Sequence, residues 1–109
     1  MIRLNETTNR GNVMKSIEIK LIKLGIIFFR SPATLNYGFE LIEVVDSKGA
    51  VKLSASPATL KEASLNSING MLTLRNKTKQ NCNISFNDKE SLQKFLEYLD
   101  ENKVNGYSL

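Results

Sequence analysis

Apolar and polar residues alternate along most of this chain, and near its end the spacing changes to that of a helix. Ile17, Ile19 and Leu21 alternate with Glu18, Lys20 and Ile22, the period of a half-buried strand. Gly25 interrupts it, as a bulge or as a turn into Ile26-Ile27-Phe28-Phe29, which reads as a second strand. Ser31-Pro32 is expected to stop that strand, because proline has no N–H for a ladder. Phe39, Leu41 and Val45 alternate with Glu40, Ile42, Val44 and Asp46 in a third strand. Asp46-Ser47-Lys48-Gly49 signals a turn, and Val51, Leu53 and Ala55 close the hairpin as a fourth strand. Ser56-Pro57, followed by Ala58, Leu60, Lys61, Glu62 and Ala63, predicts a short helix of about two turns, ended by Asn69-Gly70. Met71, Leu72 and Leu74 begin a fifth strand, and Cys82, Ile84 and Phe86 alternate through a sixth. The polar stretch Arg75 to Asn81 between them reads as a hairpin loop.

The last element carries the clearest signal, an amphipathic helix over about residues 88–102. Leu92, Phe95, Leu96 and Leu99 follow the i, i+3, i+4, i+7 spacing and make one apolar stripe. Asn87 with Glu90 three residues on has the form of a capping box. Asp88 and Glu90 put negative charge at the positive end of the helix dipole, and Glu90 with Lys94 forms a favourable i,i+4 pair. Such a stripe needs a surface to cover, and the preceding strands supply it.

Residues 1–14 are polar, show no apolar period and read as a flexible tail; residues 15–105 read as a single α+β domain. The fold expected is an antiparallel sheet, or a partly open barrel, of about six strands with a C-terminal helix packed on it. The pentapeptide Ser-Pro-Ala-Thr-Leu occurs at 31–35 and again at 56–60, expected each time to follow a strand. Either a duplication or repeated use of a good strand stop accounts for it.

Composition removes several chemistries. The chain has no His and one Cys, which sets aside zinc sites and Ser-His-type hydrolase chemistry, and no cofactor or metal is expected. A lone Cys82 allows no intrachain disulfide, and no stretch is apolar enough to span a bilayer, so a cytoplasmic (intracellular) location is expected. Net charge is +4, unevenly placed: residues 1–39 carry six basic and two acidic groups, residues 40–87 six and four, and residues 88–109 three and five. A basic, strand-rich body therefore precedes an acidic helix.

Strands in series, a hairpin near the end and one closing helix form a recurring pattern, carried here by Met71-Leu-Thr-Leu, the basic loop, Asn83-Ile-Ser-Phe and the helical stretch to Asn102. This segment resembles the pleckstrin-homology-like superfold, whose bent antiparallel sheet is capped at one corner by a helix. The resemblance implies a seven-stranded scaffold, with Phe95 in the place of that family's helical Trp. It also implies a basic pattern on the first hairpin, of which Lys20, Lys23 and Arg30 supply part.

Three side-chain groups are candidates for function. Arg75, Lys77 and Lys79 share a face if the chain stays extended from Met71 to Lys79, and with Lys20, Lys23 and Arg30 they are the anion-binding candidates. Phe28, Phe29 and Tyr37 are candidates for a partner surface; Phe28 and Phe29 cannot face the same side of a strand. Glu40 and Asp46 would share a face but lie about 20 Å apart on an extended strand, too far for a two-carboxylate mechanism. Cys82 falls on the inward side with Ile84 and Phe86, as a small buried hydrophobe. The function expected is a non-enzymatic binding module for a protein partner. Nucleic-acid or anionic-headgroup (lipid) binding through the basic hairpin is the alternative, and a small immunity or phage-type inhibitor protein is a third reading.

Overall fold

The computed structural model describes residues 14–23, 29–38, 40–66 and 68–102. Its strands run in chain order β1 (Lys15–Lys23), β2 (Phe29–Tyr37), β3 (Ile42–Asp46), β4 (Val51–Ala55), β5 (Leu60–Asn66), β6 (Met71–Asn76) and β7 (Asn81–Phe86), followed by helix α1 (Lys89–Glu101). They form one antiparallel sheet in the order β4-β3-β2-β1-β7-β6-β5, so the strand count is seven rather than six. The sheet curls into a half-barrel with β4 and β5 as its edges.

The alternation seen in the sequence builds the interior. Ile19, Leu35, Ile42, Val44, Leu53, Leu72, Leu74 and Ile84 are all at most 1% exposed and pack as one cluster. Where the strands are regular, alternate residues face this cluster, as the two-residue period of a pleated strand requires. Helix α1 closes one end of the curl with Phe95, Leu96 and Leu99 buried. The Phe95 ring lies 5.0 Å from Tyr37 edge-to-face and 5.8 Å from Phe86, the spacing at which aromatic pairs attract. Tyr98 adds a hydrogen bond from its hydroxyl to the Gly38 carbonyl, tying the helix to the β2–β3 turn.

Four expectations are corrected. The first is the end of β2, which runs through Ser31-Pro32 to Tyr37 instead of stopping there. β3 reaches only to the Ala33↔Asp46 pair, so at Pro32 the ladder on that side has already ended and no N–H is needed for it. Residues 24–28, which held most of the expected second strand, lie outside the described residues.

The second correction replaces the short helix over 56–69 by a turn and strand β5. Leu60 and Ala63 are both buried although three residues apart, a spacing that reads as helical. A shift of register between Leu60 and Glu62 absorbs the extra residue, so a bulged strand places both side chains inward. Pairing with β6 then outweighs the high helix propensity of Leu-Lys-Glu-Ala, since propensity is a weak prior beside tertiary contacts.

The third concerns the helix cap. Asp88, not Asn87, takes the N-cap position, its carboxylate accepting from the Ser91 N–H at 2.7 Å. Asn87 instead donates to the Glu18 carbonyl, anchoring the entry to α1 on β1. The fourth concerns the repeated pentapeptide. Ser31–Leu35 is fully extended inside β2, whereas Ser56–Leu60 is a closed turn in which the Ser56 carbonyl accepts from Thr59 and Leu60 N–H groups. One sequence thus has two backbones, and at 31–35 it lies within a strand rather than after one.

The turn between β3 and β4 is as expected; of the expected third strand, Ile42 and Val44 face inward and are fully buried, whereas Leu41 precedes β3, Val45 lies on its other face and Phe39 lies outside the described residues. Asp46 accepts from the Lys48 and Ala50 N–H groups and Gly49 takes φ +87°, a conformation open to glycine. No described helix is long and apolar enough to cross a membrane.

Candidate functional site

Two features of the described surface combine accessibility with local chemistry: the free edge β5 with its neighbouring groove, and the turn between β6 and β7.

Among the described residues, strand β5 pairs only with β6 and forms one border of the sheet. The opposite border, β4, is engaged. Its Ser54 N–H donates to the Gln80 side chain, and its Ser54 carbonyl accepts from Asn76 Nδ2. Beside the far end of β5 lies a groove of about 510 Å³ lined by Leu65, Gly70, Phe86, Leu92 and Leu96, with Asn69 and Gln93 on its walls. The turn that frames it is set by side chains: the Asn66 carboxamide accepts from Ile68 N–H, and that of Asn69 from Met71 N–H. Gly70 closes it at φ +73°, and Ile68, next to Asn69, is 95% exposed. Asn69-Gly70 is legible as a turn in the sequence; the groove is not, because it forms only where strand β5 takes the place of the expected short helix.

The β6–β7 turn is organised around Asn76, which is 3% exposed and is the one buried polar side chain among the described residues. Its Oδ1 accepts from Thr78 N–H at 3.0 Å, Thr78 Oγ1–H at 2.9 Å and Gln80 N–H at 2.9 Å. Its Nδ2 donates to the Ser54 carbonyl and to Gln80 Oε1, each at 2.8 Å. The Lys77 N–H donates to the Thr59 carbonyl and the Lys79 N–H to the Asn76 carbonyl. Every N–H from Lys77 to Gln80 is therefore already used. Lys79 holds φ +71°, the single non-glycine residue with positive φ among the described residues.

The predicted anion-binding residues are only partly brought together. β6 ends at Asn76, so Arg75, Lys77 and Lys79 do not share one extended face. Arg75 is committed to Glu62 on β5 in a 2.5 Å ion pair, while Lys77 and Lys79 stand exposed in the turn without an ion pair among the described residues. Lys20 is half-buried on β1 opposite Pro32 and Ser85. Lys23 and Arg30 are exposed at the ends of β1 and β2. Of the partner-surface candidates, Phe29 is 58% exposed. Tyr37 is 3% exposed and packed between Phe95 and Tyr98, which makes it core; burial also raises its phenol pKa. Phe28 lies outside the described residues.

Cys82 is covered, and the carboxylates of Asp46, Asp88 and Glu43 are each held by hydrogen bonds. Cys82 is 6% exposed, and burial pushes its thiol up to about 12, far from a reactive thiolate. Asp46 is held low chiefly by the Ala50 N–H, and Asp88 chiefly by the Ser91 N–H. Glu43 accepts from Asn36. The described residues hold no grouping of acidic or Cys side chains that could bind a metal ion. Comparison of the chain with protein-family models, with curated proteins and with solved structures found no match.

Proposed function

We propose that this chain is a non-enzymatic binding module that recognises an extended segment of a protein partner at edge β5. The observation that carries the reading is an unpaired strand edge running directly into an apolar groove. A segment laid antiparallel on β5 would satisfy its own backbone groups on the edge and place an apolar side chain between Leu65, Leu92 and Leu96. The neighbouring Ile68, almost wholly in water, supports the same face, because an exposed apolar residue beside a groove gains most from being covered. A pleckstrin-homology-like scaffold is part of this proposal, supported by the curled seven-stranded sheet and the helix at one end. Fold likeness alone carries no function, so the groove bears the weight. An intracellular setting accords with the single buried thiol.

The test is a random-peptide display selection against the folded protein, followed by amide hydrogen exchange on the selected complexes. Peptides should protect amides of Ala63–Asn66 and share one apolar residue. Gln93→Trp, which fills the groove from an exposed helical position, should abolish their binding without changing the urea midpoint. Selected peptides that bind Gln93→Trp as well as the parent would rule the reading out.

A further inference from the structure

Two asparagines of the β5–β6 turn make the same hydrogen bond and differ in the residue that follows. The carboxamide oxygen of Asn66 accepts from the Ile68 N–H and that of Asn69 from the Met71 N–H, each at 2.9 Å. In both, the side chain folds back over the next peptide, the form of an Asx turn. This fold carries the carboxamide carbon, Cγ, towards the nitrogen of the next residue, so that one new bond would close a five-membered ring. Asn66 is followed by Ser67, whose Cβ crowds that nitrogen, and Asn69 by Gly70, which has no Cβ. A Cβ at Gly70 would meet no atom within 4 Å, so the turn is open to water on this side. Asn69 is itself exposed.

The Met71 N–H fits the chemistry of ring closure. Attack of the Gly70 nitrogen on Cγ makes the carboxamide oxygen an oxyanion, and a donor already aimed at that oxygen stabilises it. The Gly70 N–H is held by the Asn66 carbonyl at 2.8 Å. That bond lies in the peptide plane, whereas Cγ approaches across the plane, so it delays loss of the proton without blocking the nitrogen. Asn76 shows the opposite case. It is buried, its oxygen and nitrogen are both bonded, and Lys77 follows it.

We propose that Asn69 is a modification site, deamidated spontaneously in the folded protein through a cyclic imide with Gly70. The Gly70 nitrogen gives its proton to hydroxide and bonds to Cγ; the Cγ–Nδ2 bond breaks, and ammonia leaves after taking a proton from water. Water then opens the ring at either carbonyl. One product is aspartate, the other isoaspartate, in which the main chain runs through Cγ. No group is oxidised or reduced, and water is the only co-reactant. Either product puts a carboxylate on the groove wall that Asn69 shares with Lys89 and Gln93. Isoaspartate also adds a backbone atom at the corner joining β5 to β6. The modification does not depend on peptide binding at β5.

The test is incubation of the folded protein in mildly alkaline buffer, with samples digested by trypsin and sequenced by mass spectrometry. One tryptic peptide, Glu62–Arg75, carries both asparagines, so Asn66 is the internal control. Deamidation should build up at Asn69 and not at Asn66, and both aspartate and isoaspartate should form. Because one exposed hydrogen bond is all that must open, the native rate at Asn69 should lie within about tenfold of that in the chain unfolded in guanidinium. A native rate slower than that, equal conversion at Asn66, or aspartate without isoaspartate would overturn the proposal.

Discussion

Replacing Asn76 by Asp exchanges one amide nitrogen for an oxygen and leaves the side-chain volume unchanged. In the native structure Nδ2 donates to the Ser54 carbonyl and to Gln80 Oε1, each at 2.8 Å, inside a site that is 3% exposed. The carboxylate keeps the three bonds accepted at Oδ1 but sets an oxygen against two acceptors. Two lost hydrogen bonds cost about 1 kcal/mol each, and a buried charge facing acceptors adds roughly 1–3 kcal/mol, so about 3–5 kcal/mol is expected at neutral pH. Burial and the two facing oxygens raise the native pKa of the new carboxyl above its unfolded value near 4. The native state then binds the proton more tightly, so the cost is full above the native pKa and shrinks as pH falls towards the unfolded one. Urea titration of both proteins at pH 7 and at pH 4.5 measures this, with the m-value checked for constancy. A loss under 1 kcal/mol at pH 7, or a loss that does not diminish in acid, would refute the account of Asn76 as the clasp between the β6–β7 turn and β4.

Lys79→Gly should stabilise the protein by about 1 kcal/mol, since φ +71° strains any side chain, read as a higher urea midpoint. Leu99→Ala should destabilise by about 2–5 kcal/mol, because this fully buried side chain helps hold α1 on the sheet, measured by thermal unfolding. Tyr98 has its phenol raised to about 12, chiefly by burial and then by Tyr37. Its contribution is therefore intact below the unfolded value near 10 and is lost as pH rises towards 12; Tyr98→Phe should flatten that alkaline limb in a pH series of melts. Cys82 should resist a thiol reagent in the native state and react at the rate of unfolding, followed by mass spectrometry in graded urea.

Features that depend on neighbours a few residues away were legible in the chain. The stripe of Leu92, Phe95, Leu96 and Leu99 needed only the helical period, and all but Leu92 are fully covered. The Asp46–Gly49 turn needed only one carboxylate and one glycine. Cys82 followed Ile84 inward by the two-residue period. Of the site, the positions of Lys77 and Lys79 in a loop were legible, while the commitment of Arg75 to Glu62 was not.

Tertiary structure decided what local pattern left open. Ser-Pro-Ala-Thr-Leu is a strand at 31–35 because β1 lies alongside it, and a turn at 56–60 because the chain must leave β4 and find β6. Local preference for either form differs by little, so pairing with a strand distant in sequence decides between them. The same reason explains β5: Leu60 and Ala63 have helical spacing, and only a partner strand makes a bulge there the better solution. The groove follows from β5, and the burial of Asn76 follows from the approach of β4, so both depend on distances along the chain that no periodicity records.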